Sequence, residues 1–267
     1  MQRSSSNCVP EQMTALAGMH AVLHQRSLSL GIEYGNVHGF FSDAKAHPHA
    51  EAKAFDGGVR ELTGDLRGAS VRMEDRVQID SDHLSRRLTF TMLDDARLYD
   101  LVSRFVVIDR SGVREGWING QAVGHRARSV YHQFPASEAV VPVGHAHWLR
   151  ARFRVEGELP PGMAHVAYIR DEASTHEGNR WILHHRLIAL PHGDNLALRG
   201  CNPRFNRPVP AALNHRVPLA LRRALYRIRE ARWPHAPIMA VAHARWRAGQ
   251  QVTLVTDLCL SHGDRPQ

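Results

Sequence analysis

Residues 147–190 alternate apolar and polar side chains over long stretches, and no other feature of the chain constrains the fold as strongly. Successive side chains of a β-strand point to opposite faces, so strict alternation is typical of a strand with one buried face. Residues 147–155 place apolar side chains at every second position: Leu149, Ala151, Phe153 and Val155. The same rhythm returns over residues 181–190, so the whole stretch is interpreted as a half-buried β-hairpin.

Segments of this kind recur along the chain at short spacing, about eleven in all, and turn signals separate them. A parallel sheet would need strands that alternate with helices, so the spacing favours antiparallel strands. We predict a mainly β protein, built as an antiparallel β-barrel or β-sandwich. Tight turns are expected at residues 80–83 and at Asn119-Gly120, because Asn-Gly tolerates the positive φ angles of a hairpin turn.

Three segments are expected to form other structures. A short N-terminal helix is predicted over residues 10–25 and a basic C-terminal helix near residues 218–233, where an apolar stripe is flanked by arginines. Residues 94–104 are expected to form a helical excursion, since their apolar residues recur at helical spacing. A last hairpin is predicted from residues 239–246 and 252–260.

Composition is typical of a globular protein, with 43% apolar residues among 267 and a mean hydropathy of −0.35. We predict a single β-rich domain over residues 1–267, and a pseudo-two-fold division near residues 110–140 stays open. No apolar run approaches the roughly 18 residues that cross a bilayer. The N-terminal residues lack the apolar core of a secretory signal, and the three cysteines lie far apart. A cytoplasmic location with reduced thiols is therefore predicted.

The formal charge of +8 comes from 32 arginines and only two lysines, set against 26 acidic residues. Residues 201–267 hold 11 basic and 3 acidic groups, so the excess belongs to the last quarter of the chain. Phosphate-binding surfaces normally use both lysine and arginine, which counts against a nucleic-acid partner. A nucleic-acid or acidic-partner binding module that uses residues 216–232 is kept as an alternative.

Several nucleotide and hydrolase motifs are absent from the sequence. It contains no Walker A loop, no Gly-x-Gly-x-x-Gly after a strand and no Gly-x-Ser-x-Gly elbow. These absences exclude P-loop enzymes, ordinary Rossmann dehydrogenases and α/β-hydrolases. No cofactor is predicted.

The segment His145-Ala146-His147 suggests an alternative metal site. Two histidines at i and i+2 of a strand point to one face, where both imidazoles would reach one ion. A third ligand would come from a neighbouring strand, for example His165, His184, His185 or His243. Nineteen histidines make chance pairs of this kind common, so the primary prediction contains no metal.

The candidate catalytic residues are Tyr131, His132, His147 and His185, which lie at the ends or in the middle of predicted strands. Imidazole and phenol groups act as general acids and bases, and strand ends often line the mouths of ligand sites. The candidate ligand-binding residues combine forked guanidinium groups with amides: Arg128, Gln133, Arg199 and Asn202.

From these features we predict a protein that binds a small, partly apolar molecule in a β-barrel or sandwich cavity. It would act as a lyase, hydratase, isomerase or cyclase through acid–base chemistry without a cofactor, although the sequence leaves open whether it is an enzyme at all. The two alternatives are a metal-dependent enzyme built on His145 and His147, and the binding module described above.

Overall fold

The computed structural model describes residues 18–36, 38–46, 57–113, 115–124, 131–145, 147–175, 178–189 and 243–263. Within these ranges the chain is mainly antiparallel β, as predicted, with two short helices, α1 (Gly18–His24) and α2 (Asp43–Ala46). The strands in chain order are β1 (Leu28–Asn36), β2 (Gly39–Ser42), β3 (Gly58–Leu66), β4 (Ala69–Asp80), β5 (His83–Met92), β6 (Ala96–Leu98), β7 (Asp100–Asp109), β8 (Glu115–Ile118), β9 (Gln121–Gly124), β10 (Tyr131–Pro135), β11 (Glu138–Val143), β12 (His147–Glu156), β13 (Met163–Thr175), β14 (Gly178–Ala189), β15 (Ala244–Trp246) and β16 (Gln251–His262).

The strands form three sheets. A six-stranded sheet has the order β10-β13-β14-β7-β1-β2, an eight-stranded sheet has the order β3-β4-β5-β16-β12-β11-β8-β9, and β15 pairs with β6 alone. All pairings between these strands are antiparallel. Both large sheets have free edge strands, and the described residues contain no closed barrel. The barrel form of the prediction is therefore not confirmed.

The tight turns form where the sequence predicts them. Asn119 and Gly120 have φ angles of 48° and 75° between β8 and β9, the positive values that this kind of hairpin turn requires. Between β4 and β5, Asp80 lies opposite His83, and Ser81 adopts a φ of 46°. In both hairpins the residues at the turn fix the register of the strands.

Two apolar clusters lie along the inner faces of the large sheets, and each contains residues from both sheets. The first includes Leu30 of β1 and Leu84 of β5, and the second includes Ile32 of β1 and Leu88 of β5. On several strands, the inward residue between the two clusters is polar. We call this set the polar belt: Asp75, Arg86, Ser103, His185 and Thr256, all of them 0% exposed.

The alternating stretch 147–190 is not one hairpin. β12 pairs with β11 and β16 in the eight-stranded sheet, whereas β13 pairs with β14 in the six-stranded sheet. The connection between β12 and β13 contains Gly157 and Gly162, both with positive φ angles, and it carries the chain from one sheet to the other. A period of two predicts strands but does not identify their partners.

Two other local predictions are wrong. Residues 94–104 form β6 and the start of β7 instead of a helix, because β7 is buried on both faces and its apolar residues follow no simple alternation. β15 and β16 do not pair with each other: β15 joins β6, and β16 lies between β5 and β12.

The helices were predicted only in part. α1 falls within the N-terminal helix predicted over residues 10–25, whose first residues lie outside the described ranges. The basic helix predicted near residues 218–233 also lies outside the described residues.

Candidate functional site

Arg86 is the centre of the polar belt and connects the two large sheets. Its Nε and Nη2 atoms donate to the two carboxylate oxygens of Asp75 over 2.7 and 2.9 Å. Its Nη1 donates across the core to the carbonyl oxygens of Gly31 and Arg104 and to the Ser103 hydroxyl. Burial would raise the pKa of Asp75, but Arg86 and then Arg60 outweigh burial and lower it. This pair is saturated with partners, so its contacts fit a structural role.

His185, a predicted catalytic residue, also lies in the polar belt. It is 0% exposed, its Nδ1 lies 2.8 Å from the Thr256 hydroxyl, and its Nε2 lies 2.8 Å from Nε2 of His165. Burial, together with the nearby His165 and Arg86, holds the pKa of His185 well below its usual range. The imidazole is therefore enclosed and neutral at neutral pH, and its neighbour His165 is half-buried.

The opposite, outward face of the six-stranded sheet carries a second group of polar residues. We call it the outward cluster: Tyr99, Asp100, Tyr168, His184 and Arg186. Strand register places it together, since Ile188 of β14 lies opposite Asp100 of β7, and His184 lies opposite Tyr168 of β13. Side chains at these positions point away from the polar belt because neighbouring positions along a strand alternate between faces.

Arg186 is held between two aromatic rings. Its guanidinium carbon lies 5.6 Å from the ring centre of Tyr99 and 5.5 Å from that of Tyr168. Its Nη2 donates to Asp100 Oδ2 over 2.6 Å and to the Tyr99 hydroxyl over 3.4 Å. Ring faces attract cations, so the two tyrosines hold the guanidinium group between them, and its N–H groups remain available for hydrogen bonds.

The Asp100–Arg186 pair is buried, and unlike the Asp75–Arg86 pair it keeps polar atoms that have no hydrogen-bond partner among the described residues. Asp100 is 4% exposed and Arg186 is 7% exposed. Asp100 Oδ1 and Arg186 Nε are both buried and have no hydrogen-bond partner among the described residues. A free acceptor and a free donor thus remain at one buried ion pair, and groups of this kind cost free energy unless something binds them.

The carboxyl group of Asp100 has a pKa well above that of an ordinary aspartate. Burial raises its pKa from 3.8 to about 6, Arg186 opposes this rise, and Glu33 adds to it. Glu33 in turn forms an ion pair with Arg104, whose Nη1 donates to Glu33 Oε1 over 2.6 Å. A carboxyl with a pKa close to the working pH can both accept and donate a proton.

His147, another predicted catalytic residue, lies away from His185. His147 is 6% exposed at the start of β12, with its ring centre 4.1 Å from that of His262. His262 and Thr256 are six residues apart along β16, roughly 20 Å, so His147 lies far from the Thr256 partner of His185.

Tyr131, His132 and Gln133 lie on β10, the edge strand of the six-stranded sheet, and pair with residues 168–170 of β13. Arg128, Arg199 and Asn202 lie outside the described residues. The roles assigned to all six remain predictions.

The metal alternative gains no geometric support from His145 and His147. His145 is exposed in a turn, whereas His147 is buried in the following strand, so the two do not occupy matching positions of one strand. Throughout the described ranges, no group of three or more His, Cys, Asp or Glu side chains is arranged to hold a metal ion.

Sequence reasoning missed Asp100, Arg186, Tyr99 and Tyr168. A signal was present for the two charged residues, because Asp100 begins β7 directly before buried apolar residues and Arg186 directly precedes the apolar end of β14. Charged side chains in a doubly buried strand need a partner, and each of these two residues supplies the partner of the other.

In the part of the chain that the structure describes, no helix has the length and apolar character needed to span a membrane. No family model matches this chain, and a comparison with curated proteins finds no match either.

Proposed function

We propose that the outward cluster carries out acid–base chemistry on a small, partly apolar molecule without a cofactor, of the lyase, hydratase, isomerase or cyclase type. The proposal treats the two large sheets as the layers of an open β-sandwich in one domain. The acid–base chemistry then takes place on the outward face of the six-stranded sheet and not in the interior, where His185 is enclosed. The observation that carries it is the unsaturated Asp100–Arg186 pair.

Four of the five residues of the cluster are assigned a role. Asp100 takes or gives the proton through Oδ1, which has no other described partner. Arg186 binds a developing or permanent negative charge through Nε, since charge-assisted hydrogen bonds to oxyanions are strong. Tyr168 and Tyr99 provide ring faces for the apolar part of the molecule.

Apolar side chains flank the ion pair on the same face. Val166 of β13 lies opposite Arg186, and both Val166 and the nearby Ile188 are 1% exposed. Apolar surroundings with a few converging polar groups are typical of sites for small organic molecules.

Proton abstraction from carbon provides a direct test. Purified protein would be incubated in deuterated water with a panel of 2-oxo acids and cyclic ketones, and deuterium incorporation followed by NMR. We expect exchange of at least one compound, with a rate that rises through about pH 6 as Asp100 ionises. Asp100→Asn should lower the rate by about 10²–10⁴-fold, the usual contribution of a general base.

The matched control is Asp257→Asn, which removes a carboxylate on the outward face of the eight-stranded sheet, where it accepts from Arg154. Exchange rates in this variant should equal those of the wild type. Equal rates in wild type and Asp100→Asn would refute the assignment of Asp100.

The remaining parts of the prediction stand as proposals. A cytoplasmic location agrees with the exposed free thiol of Cys259, because exposed unpaired cysteines persist most readily in reducing compartments. Two alternatives remain: a metal-dependent enzyme, and a binding module for nucleic acid or an acidic partner. The described residues do not bear on the second, because residues 216–232 lie outside them.

A further inference from the structure

A cleft of about 750 Å³ lies beside the small β6–β15 sheet, apart from the outward cluster. Its lining includes three arginines, a tryptophan and a glutamine: Arg97, Arg245, Arg247, Trp246 and Gln250. Pro160 and Pro161 contribute an apolar wall. The volume is in the range that holds small ligands.

The arrangement of the arginines is unfavourable without a counterion. Arg97 of β6 lies directly opposite Arg245 of β15, and both side chains are exposed. Like charges that face each other across a strand pair are destabilising. Among the described residues, none of the three guanidinium groups in the cleft forms an ion pair.

Trp246 belongs to the lining, but its side chain lies on the buried face of β15. It is 1% exposed and is part of the second apolar cluster, whereas its neighbour Arg245 is exposed on the other face. Burial and then the charge of Arg97 lower the pKa of the adjacent His243.

Among the described residues, the two carboxylates of the lining, Asp95 and Glu158, form no ion pair with the arginines. Asp95 accepts the backbone N–H of Ala248 over 2.9 Å, and Gln250 accepts the backbone N–H of Arg247 over 2.7 Å. These two bonds hold the turn that positions Arg247. Glu158, the other carboxylate of the lining, is exposed.

We propose that this cleft binds a small polyanion whose phosphate or carboxylate oxygens are held by Arg97, Arg245 and Arg247. Guanidinium forks match both kinds of oxyanion. The site is separate from the outward cluster and does not depend on the function proposed for it.

Calorimetric titration with pyrophosphate and with citrate tests the proposal and separates the two anion classes. We expect one saturable site, weaker at high salt, and the tighter of the two anions identifies the class. Arg97→Gln and Arg245→Gln should each weaken binding by about tenfold or more, the effect of losing a charge-assisted hydrogen bond. The matched control is Arg152→Gln, an exposed arginine paired with Glu138 on β11, which makes the same change in net charge.

A second measurement uses the repulsion between the two facing arginines. Arg97→Gln should leave the melting temperature of the anion-free protein unchanged or higher, and should abolish the rise that the anion produces in the wild type. Asp100→Asn should bind the anion as the wild type does, so failure of the acid–base proposal would leave this one standing. The proposal is overturned by equal losses in Arg97→Gln and Arg152→Gln, or by no saturation with either anion at about 10 mM.

Discussion

At the scale of single residues, the number of partners distinguishes two buried aspartates that the sequence makes look alike. Asp75 has both carboxylate oxygens on arginine donors, and its pKa is lowered. Asp100 has one oxygen on Arg186, and burial raises its pKa to about 6. Partner number decides whether the desolvation of a carboxylate is offset, so the pKa of one buried aspartate is lowered and that of the other is raised.

The raised pKa of Asp100 makes a prediction about stability. Between about pH 4 and pH 6 the folded chain keeps a proton on Asp100 that the unfolded chain has released, so its contribution is greatest in acid and lost as pH rises through about 6. The free energy of unfolding of the wild type, minus that of Asp100→Asn, should therefore fall by roughly 2–3 kcal/mol between pH 4.5 and 7.5. Urea unfolding at several pH values measures this difference.

Asp257 provides a control of opposite sign. Arg154 and Ser85 outweigh partial burial and lower its pKa, so its contribution is present above about pH 4 and lost as pH falls. The difference between wild type and Asp257→Asn should not fall over pH 4.5–7.5. A flat difference for Asp100→Asn would contradict the raised pKa.

At the scale of elements, the alternation of apolar and polar residues predicted the strands that have one buried face. It failed for strands with two buried faces and for strands with none. β4, β5, β12 and β16 show the expected rhythm. β3 was missed, since it is an edge strand with mostly exposed residues. The first half of β7 was predicted as a helix because burial on both faces places apolar residues at successive positions.

The position of β3 depends on a glycine. A Cβ at Gly64 would lie 2.8 Å from Tyr34 Cε1 and 2.9 Å from Phe41 Cδ2, two rings that stack with centres 5.0 Å apart. Gly64→Ala should lower the free energy of unfolding by about 1–3 kcal/mol, the usual cost of overpacking. Chemical denaturation measures it, and the exposed neighbour Thr63→Ala should change stability by no more than about 0.5 kcal/mol. Equal effects of the two changes would show that β3 is not packed as described.

At the scale of the whole molecule, the polar belt joins the two large sheets between their apolar clusters. Arg86 on β5 donates to carbonyls of β1 and β7, and His185 on β14 contacts Thr256 on β16. Directional bonds of this kind fix how the sheets lie against each other, which apolar contacts alone leave less specified.

Breaking the belt at Arg86 should be costly. Arg86→Met leaves the carboxylate of Asp75 buried with only Arg60 beside it, so we expect a loss of about 3–5 kcal/mol in the free energy of unfolding. The double variant Arg86→Met with Asp75→Leu should recover most of this loss, because no charge is then left without its main partner. Urea denaturation of both variants measures the two effects. A double variant as unstable as the single one would assign the cost to lost packing instead.

The sequence by itself determined the antiparallel β class and the two tight turns, because alternation and turn chemistry act between near neighbours in the chain. Only the tertiary structure decided which strands pair, that β12 and β13 belong to different sheets, and that Asp100 meets Arg186. These two residues are 86 positions apart. Their contact depends on strand order and register, which no local pattern specifies, and so the candidate site could not be identified before the fold was known.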